Sequence, residues 1–305
     1  MVRLQQHKHA LGSEAYITLI GSDEQLLVST FDLLWQELSL FEHTFSRFLP
    51  DSELTYVNER AGLPTDVSPE FLALIMSARD FLQRTGGLYD PFVLPALQKA
   101  GYLGSWPSVV KQGEAPDFSG RVFVQDSLLQ FSATTITIPE HTALDFGGIG
   151  KGYALDQLAQ VLHRQNIENY WLSFGGDILV SGMDVDGLPW AVVVGEALDQ
   201  DATCTTFHAG PEPCAVATSG IVKRAGKGWN HLIDPRTGRS TKSDILSATV
   251  ASDSGVTADV YAKCLLLAGS KEAPKLAKKL NILHYVLQIQ TKQGTVKITK
   301  QGDFQ

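Results

Sequence analysis

The densest run of chemically useful residues lies between Ala143 and Gly152, where the chain reads Ala-Leu-Asp-Phe-Gly-Gly-Ile-Gly-Lys-Gly. Asp145 supplies a carboxylate before a turn, and Lys151 supplies an ammonium after it. Between Gly147 and Gly152, four glycines in six positions leave the backbone open to close approach. Ala154, Leu155, Leu158, Ala159 and Leu162 then fall on one face, predicting a helix over 151–165. A glycine turn entering a helix beside a lysine suits an anion, and phosphate is the first candidate. The common nucleotide motifs do not fit. A Walker loop needs glycine where Asp145 stands and Ser or Thr where Gly152 stands, and the dinucleotide fingerprint needs other glycine spacings. Alone, the stretch is better read as a tight strand-to-helix connection.

The elements that must position this turn follow from periodicity. Residues 15–20 read as a strand, and Ser22 with Gln25 has capping-box spacing. Leu27, Phe31, Leu34, Leu38, Phe41 and Phe45 recur at steps of four and three, predicting a long helix over 24–45 whose apolar stripe is core. Pro50 and Asp51 break it. A second helix opens at Ser68-Pro69 and stops at Gly86-Gly87. Residues 101–120 read as loop, and short strands are expected at 121–125, 128–131 and 134–138. Further strands are expected at 169–174, 177–182, 189–194, 215–219, 230–233 and 245–252, with 196–213 a surface excursion. Helices over 255–268 and 271–280 and a hairpin over 283–299 close the chain.

Composition narrows the function classes. The 305 residues are 44% hydrophobic and 19% charged, ordinary for a globular protein able to bury a large core. A net charge of -8 argues against nucleic acid as the main partner. Three cysteines fit neither a disulfide framework nor a zinc cluster. No apolar run suits a signal peptide or a membrane span, so the expectation is a cytosolic protein with no membrane insertion.

Several turns taken together resemble the ApbE family, the FAD:protein FMN transferases. The matching stretches are Ser46-Arg47-Phe48 with Asp51-Ser52-Glu53-Leu54 and Asn58, then Gly87-Leu88-Tyr89-Asp90-Pro91, then the run from Asp145 to Asp156. Gly175-Gly176-Asp177, Ala217-Thr218-Ser219-Gly220, the run from His231 to Gly238, and Ala258-Asp259 follow in the family's order. Together they cover about residues 10–270. The resemblance implies an α+β chain of the ApbE-like fold, one functional domain over 1–305 built as two intimate lobes of antiparallel or mixed sheet with packed helices. It also implies an activity in which FAD is split at its pyrophosphate, FMN passes to a threonine of a target protein, AMP leaves, and Mg2+ assists.

By the same resemblance, Asp145, Lys151 and His231 fall at FAD contacts, His231 near the phosphates. Leu88, Tyr89 and Asp90 match an FAD-binding segment, Phe48 sits where an aromatic lies near the flavin, and Leu11 stands where methionine is usual. Asp259 matches the main side-chain metal ligand, with the carbonyl of Gly148 as another. The catalytic set so implied is Lys151, His231 and Asp259, with His231 or Asp259 the candidate general base. Position 263 departs from the pattern: Lys263 stands where the family has a metal-binding threonine.

On a helix, Asp259 and Lys263 share a face, so an ammonium points at the expected metal site. Three arrangements are open. The lysine stem redirects its head group and water serves as ligand; or the ammonium stands in for the metal's charge; or the chain binds FAD without transferring FMN. An FAD pyrophosphatase releasing FMN and AMP is a further alternative. Structural readings stand beside these: Asp145 as a turn cap, Asp259 with Lys263 as a plain ion pair, and Asp156 and Asp177 as scaffold.

Overall fold

A computed structural model describes residues 1–102, 129–199, 201–223, 225–226 and 229–305. The strand expected at 121–125 and nearly all of the loop expected at 101–120 lie outside the described residues. The chain divides into two units: Met1–Leu40, Ile149–Val222 and Ser243–Gln305 form the first, Phe41–Gly148 and Lys223–Lys242 the second. No helix among the described residues is long and apolar enough to cross a membrane.

The first unit is built on an eight-stranded sheet. Its spatial order is Val2–Ala10, Ser13–Gly21, Asn169–Phe174, Asp177–Ser181, Cys214–Gly220, Ile245–Ser252, His284–Gln290 and Val296–Gln301, and every neighbouring pair is antiparallel. The Val2–Ala10 strand carries no sequence signal beyond Val2 and Leu4, because it is an edge strand and most of its side chains face water. On one face pack the helices α5 (Gly150–Arg164) and α6 (Gly255–Lys279). On the other, Ile20, Val180, Val216, Ala251 and Val286 meet Trp190, Val192, Val194, Phe207 and Phe304. Those partners come largely from a hairpin of Ala191–Gly195 and Thr203–His208, so the expected surface excursion contains a strand. Ile245–Ser252 is buried on both faces, so that even Ser247 and Thr249 lie inside and no charged residue interrupts it.

Helix α1 (Glu24–Phe45) forms as its spacing predicts. In the second unit, α2 (Glu53–Glu59) begins just after the break at Pro50 and Asp51, where the sequence signals no helix. Ser52 caps it by accepting from the Thr55 N–H, and Leu54 and Val57 bury one face. Helix α3 (Pro69–Arg84) has Ser68 as N-cap, and α4 (Leu94–Lys99) follows. Strands Thr65–Asp66, Thr135–Thr137 and Gln130–Phe131 make a small sheet in that order.

The two sequence-predicted closing helices appear as α6 broken at Gly269, whose φ of 75° no ordinary side chain adopts cheaply. Asp244 restarts the second segment by accepting from the Ser270 N–H at 2.9 Å.

The contact between α5 and α6 depends on two glycines. A Cβ on Gly152 would lie 2.2 Å from the Gly255 carbonyl oxygen, so the helix starts touch backbone to backbone. Asp156 of α5 exploits that approach: its carboxylate accepts from the Gly255 N–H at 2.6 Å, the Val256 N–H at 3.0 Å and the Ser254 hydroxyl at 2.9 Å. These satisfy donors that the start of α6 leaves open. Burial nevertheless raises the Asp156 pKa. Gly152→Ala is therefore expected to cost ~2–3 kcal/mol through overpacking. Gly210→Ala, where an added Cβ meets nothing within 4 Å, should change stability by less than about 0.5 kcal/mol. Urea unfolding of the two variants checks the contrast.

Candidate functional site

In the first unit, separate motifs gather at one end of the sheet. Leu11 and Gly12, with φ of 54° and 63°, turn the Val2–Ala10 and Ser13–Gly21 strands into a two-residue hairpin. Asn-Gly is the natural pair for that geometry, and a leucine there stores about 1–2 kcal/mol of strain. Gly175 and Gly176 make the equivalent turn between Asn169–Phe174 and Asp177–Ser181, and the Gly175 N–H donates to the Glu14 carbonyl at 3.0 Å. The two turns are thus neighbours. Asp177, directly after the second, is 1% exposed, accepts from the Thr218 N–H at 3.1 Å and forms an ion pair with the ammonium of Lys151. Asp177, scaffold by its sequence context, is thus the anchor of Lys151, and its one signal in the sequence is the Gly-Gly-Asp turn itself.

Lys151 and Gly152 lie in the first turn of α5, where the N-cap residue Ile149 makes no side-chain cap bond. The Gly152 N–H instead donates to Asp259 Oδ2 at 3.2 Å. Asp259 is 1% exposed, and its Oδ1 is ion-paired with the ammonium of Lys263 four residues along α6. Lysine–aspartate pairs therefore stand on both residues at the start of α5. The Lys151 side chain stays 24% exposed and that of Lys263 15%, while both aspartate side chains are sealed. Lys263 does not redirect its head group away from Asp259.

The second unit holds its own cluster. Asp145 accepts from the Gly147 N–H at 2.8 Å and from Arg47 Nε at 2.7 Å, with both charged side chains 8% exposed. Arg47 lies over the rings of Phe48 and Tyr102, 4.3 and 5.0 Å from their centroids. The Asp145 N–H donates to the Pro91 carbonyl at 2.7 Å, tying this turn to the Leu88-Tyr89-Asp90 segment. Phe146 packs edge-on against Phe45 and Phe71, and Gly148 ends the turn half-buried.

Asp145 thus caps its own turn as well as pairing with Arg47, a residue visible in the sequence only as part of the Ser-Arg-Phe motif. Phe48 is 42% exposed, an open aromatic face. His231, half-buried, is held by its neighbours: Asn230 Oδ1 accepts from the Leu232 N–H at 3.1 Å, Asn230 Nδ2 donates to the Thr241 carbonyl at 3.0 Å, and Thr241 N–H donates to the Leu232 carbonyl at 2.8 Å. Asp234 clamps Arg236 through both oxygens, closing the next turn.

The profile of the ApbE family matches residues 11–287. The chain belongs to the ApbE family. An FAD:protein FMN transferase of Vibrio cholerae serotype O1 is 29% identical over 282 residues, covering 90% of this chain and 82% of the relative. One from Escherichia coli K12 is 29% identical over 287 residues, covering 90% and 80%. The solved flavin transferase ApbE from Vibrio cholerae superposes with a TM-score of 0.83 at 26% identity, covering 99% of this chain and 98% of that one. The ApbE protein of Thermotoga maritima, at 22% identity and a TM-score of 0.83, supports the α+β ApbE fold alone.

The Mg2+ that the ApbE resemblance implies at Asp259 does not fit the residues present. Magnesium needs oxygen donors in a near-octahedral set. Here one carboxylate oxygen holds an ammonium and the other an N–H. Among the described residues, no group of three or more His, Cys, Asp or Glu side chains is placed to hold a metal ion.

Asp90 differs from every carboxylate above. It is 3% exposed, Oδ1 accepts from the Phe92 N–H at 2.8 Å, and Oδ2 is buried without a hydrogen-bond partner. Burial pushes its pKa up to about 7 against that one backbone bond. The folded state therefore holds a proton that the unfolded chain loses between its ordinary carboxylate range and about pH 7. Stability falls as pH rises through that window, and the cost is complete above it. Asp90→Asn is expected to stabilise the protein by on the order of 2–4 kcal/mol at pH 8.5 and by little at pH 4. Denaturant midpoints at the two pH values test this.

Proposed function

We propose that this chain is an FAD:protein FMN transferase acting on a threonine of a target protein. The observation that carries the reading is Lys151, a part-buried cation fixed by the buried Asp177 at an α5 start that lacks a side-chain cap. That arrangement suits a diphosphate, and the family membership names the compound that supplies it. Because the ApbE match runs through both units, we read the chain as one functional domain.

In the reaction, the threonine hydroxyl oxygen bonds to the FMN-side phosphorus of FAD. The bond from that phosphorus to the bridging oxygen breaks, AMP leaves with the bridging oxygen, and the hydroxyl proton passes to a base. Phosphoryl transfer of this kind needs alignment and neutralised charge more than covalent help from the protein. Lys151 supplies charge to the diphosphate. Leu11, held in a strained turn, fits a contact that the fold preserves at a cost. In the second unit, Phe48, the Leu88-Tyr89-Asp90 segment and the Asp145 turn stand at positions that the family resemblance gives as FAD contacts. Of the two candidate bases, Asp259 has both carboxylate oxygens engaged, and the family resemblance puts His231 near the phosphates, so we assign the role to His231.

Incubating the purified protein with FAD and a Thr-bearing acceptor domain should give covalent flavin fluorescence on the acceptor in a denaturing gel. Lys151→Met and His231→Ala should each lower the rate by about 10²-fold or more. Release of free FMN and AMP with an unlabelled acceptor would instead identify a pyrophosphatase, and retained FAD with no product would identify a binding protein.

A further inference from the structure

The pairing at the start of α6 changes what the site requires. Asp259 sits where family members are expected to hold a divalent cation, yet its carboxylate is buried and already compensated. Lys263 reaches it from the same helix face, with its ammonium on Oδ1 and within 3.4 Å of the Asp259 carbonyl. The Gly152 N–H takes the other oxygen, so Asp259 is also tied to the first turn of α5, one residue from Lys151. A metal entering here would have to displace an ammonium and would then bind beside it. Like charges at that range repel strongly in a partly buried site.

The same cluster explains why the lysine is tolerated. A neutral residue at 263 would leave a buried carboxylate with a single N–H donor, and a buried charge without a counter-charge is costly. The lysine stem lies along α6, and the Lys263 side chain as a whole stays 15% exposed, against 1% for Asp259. Three N–H bonds radiate from an ammonium; the Asp259 carboxylate takes one and the Asp259 carbonyl, at 3.4 Å, a second.

We propose that the Lys263 ammonium holds the place of the divalent cation at Asp259, as a tethered charge that makes FMN transfer independent of added metal. The inference rests on the transferase reading above. Its chemistry is unchanged in balance: the ammonium forms no covalent bond, and the threonine, phosphorus and AMP exchange partners as already described.

The test pairs a binding measurement with a rate, so that the two ideas can fail separately. Mn2+ binding followed by electron paramagnetic resonance should show no tight site in the unaltered protein. Lys263→Thr, which restores an oxygen donor, should gain one site, and Lys263→Thr with Asp259→Asn should lose it again. FMN transfer by the unaltered protein should proceed within twofold at the same rate in EDTA and in millimolar Mg2+. Lys263→Thr should lose at least tenfold in EDTA and recover with Mg2+. A stoichiometric Mn2+ site in the unaltered protein that vanishes in Asp259→Asn would overturn the proposal, as would transfer that stops in EDTA. If no transfer occurs under any condition, the transferase reading fails, while the Mn2+ measurement on the unaltered protein still decides whether Lys263 excludes the metal.

Discussion

The approach of α5 to α6 at Gly152 and Gly255 is the constraint on which the first unit's chemistry rests. Two carboxylates cross that contact in opposite directions. Asp156 of α5 accepts from the backbone that starts α6, and Asp259 of α6 accepts from the Gly152 N–H that starts α5. Each helix end exposes donors and a partial positive charge, so each carboxylate is stabilised where it sits. Any bulk at Gly152 separates the helices and breaks both bonds together. The glycine density that first suggests phosphate binding is thus partly a packing requirement, and the side chains beside it inherit their positions from that packing.

Within each unit, buried charge is matched at the motif residues. Asp177 has Lys151, Asp259 has Lys263, and in the second unit Asp145 has Arg47. Buried ion pairs add little net stability, because desolvation offsets the attraction. Their effect is geometric: each fixes a cationic head group with little freedom to move. The Lys151 and Lys263 side chains remain partly exposed on sealed aspartates. Asp90 breaks the rule. With one oxygen unpaired and no cation on it, it responds to burial by holding its proton.

Long periodic elements were legible in the sequence because their burial is one-sided. The stripe from Leu27 to Phe45 gave α1 to its last residue, and the interruption at Gly269 separated the two closing segments as spacing suggested. Short or edge elements were not legible. α2 owes its existence to the Ser52 cap and two buried residues, and the Val2–Ala10 strand to a partner strand and not to its own composition. Thr203–His208 alternates weakly because only Thr205 and Phe207 are buried. At the site, motif residues announced their presence but not their bonds. Nothing in the spacing of Asp177 and Lys151, 26 positions apart, states that they pair. The Asp259–Lys263 pair, at four residues on one helix, was the exception.

Replacing a divalent cation by an ammonium also alters the charge that the site offers. A carboxylate with Mg2+ carries one net positive charge, whereas Asp259 with Lys263 carries none, and Asp177 with Lys151 is likewise neutral. One unit of charge at about 4 Å is worth ~4 kcal/mol at an effective dielectric of about 20. The site must then rely on direction more than on net charge: ammonium N–H groups aimed at phosphate oxygens, with their aspartates buried behind them. A tethered cation has compensating merits. It does not leave with the product and needs no loading step. It also costs less ordering when substrate arrives, because Asp259 and the start of α5 already hold it in place. The structure exchanges a strong, exchangeable charge for a weaker one fixed by its own helix.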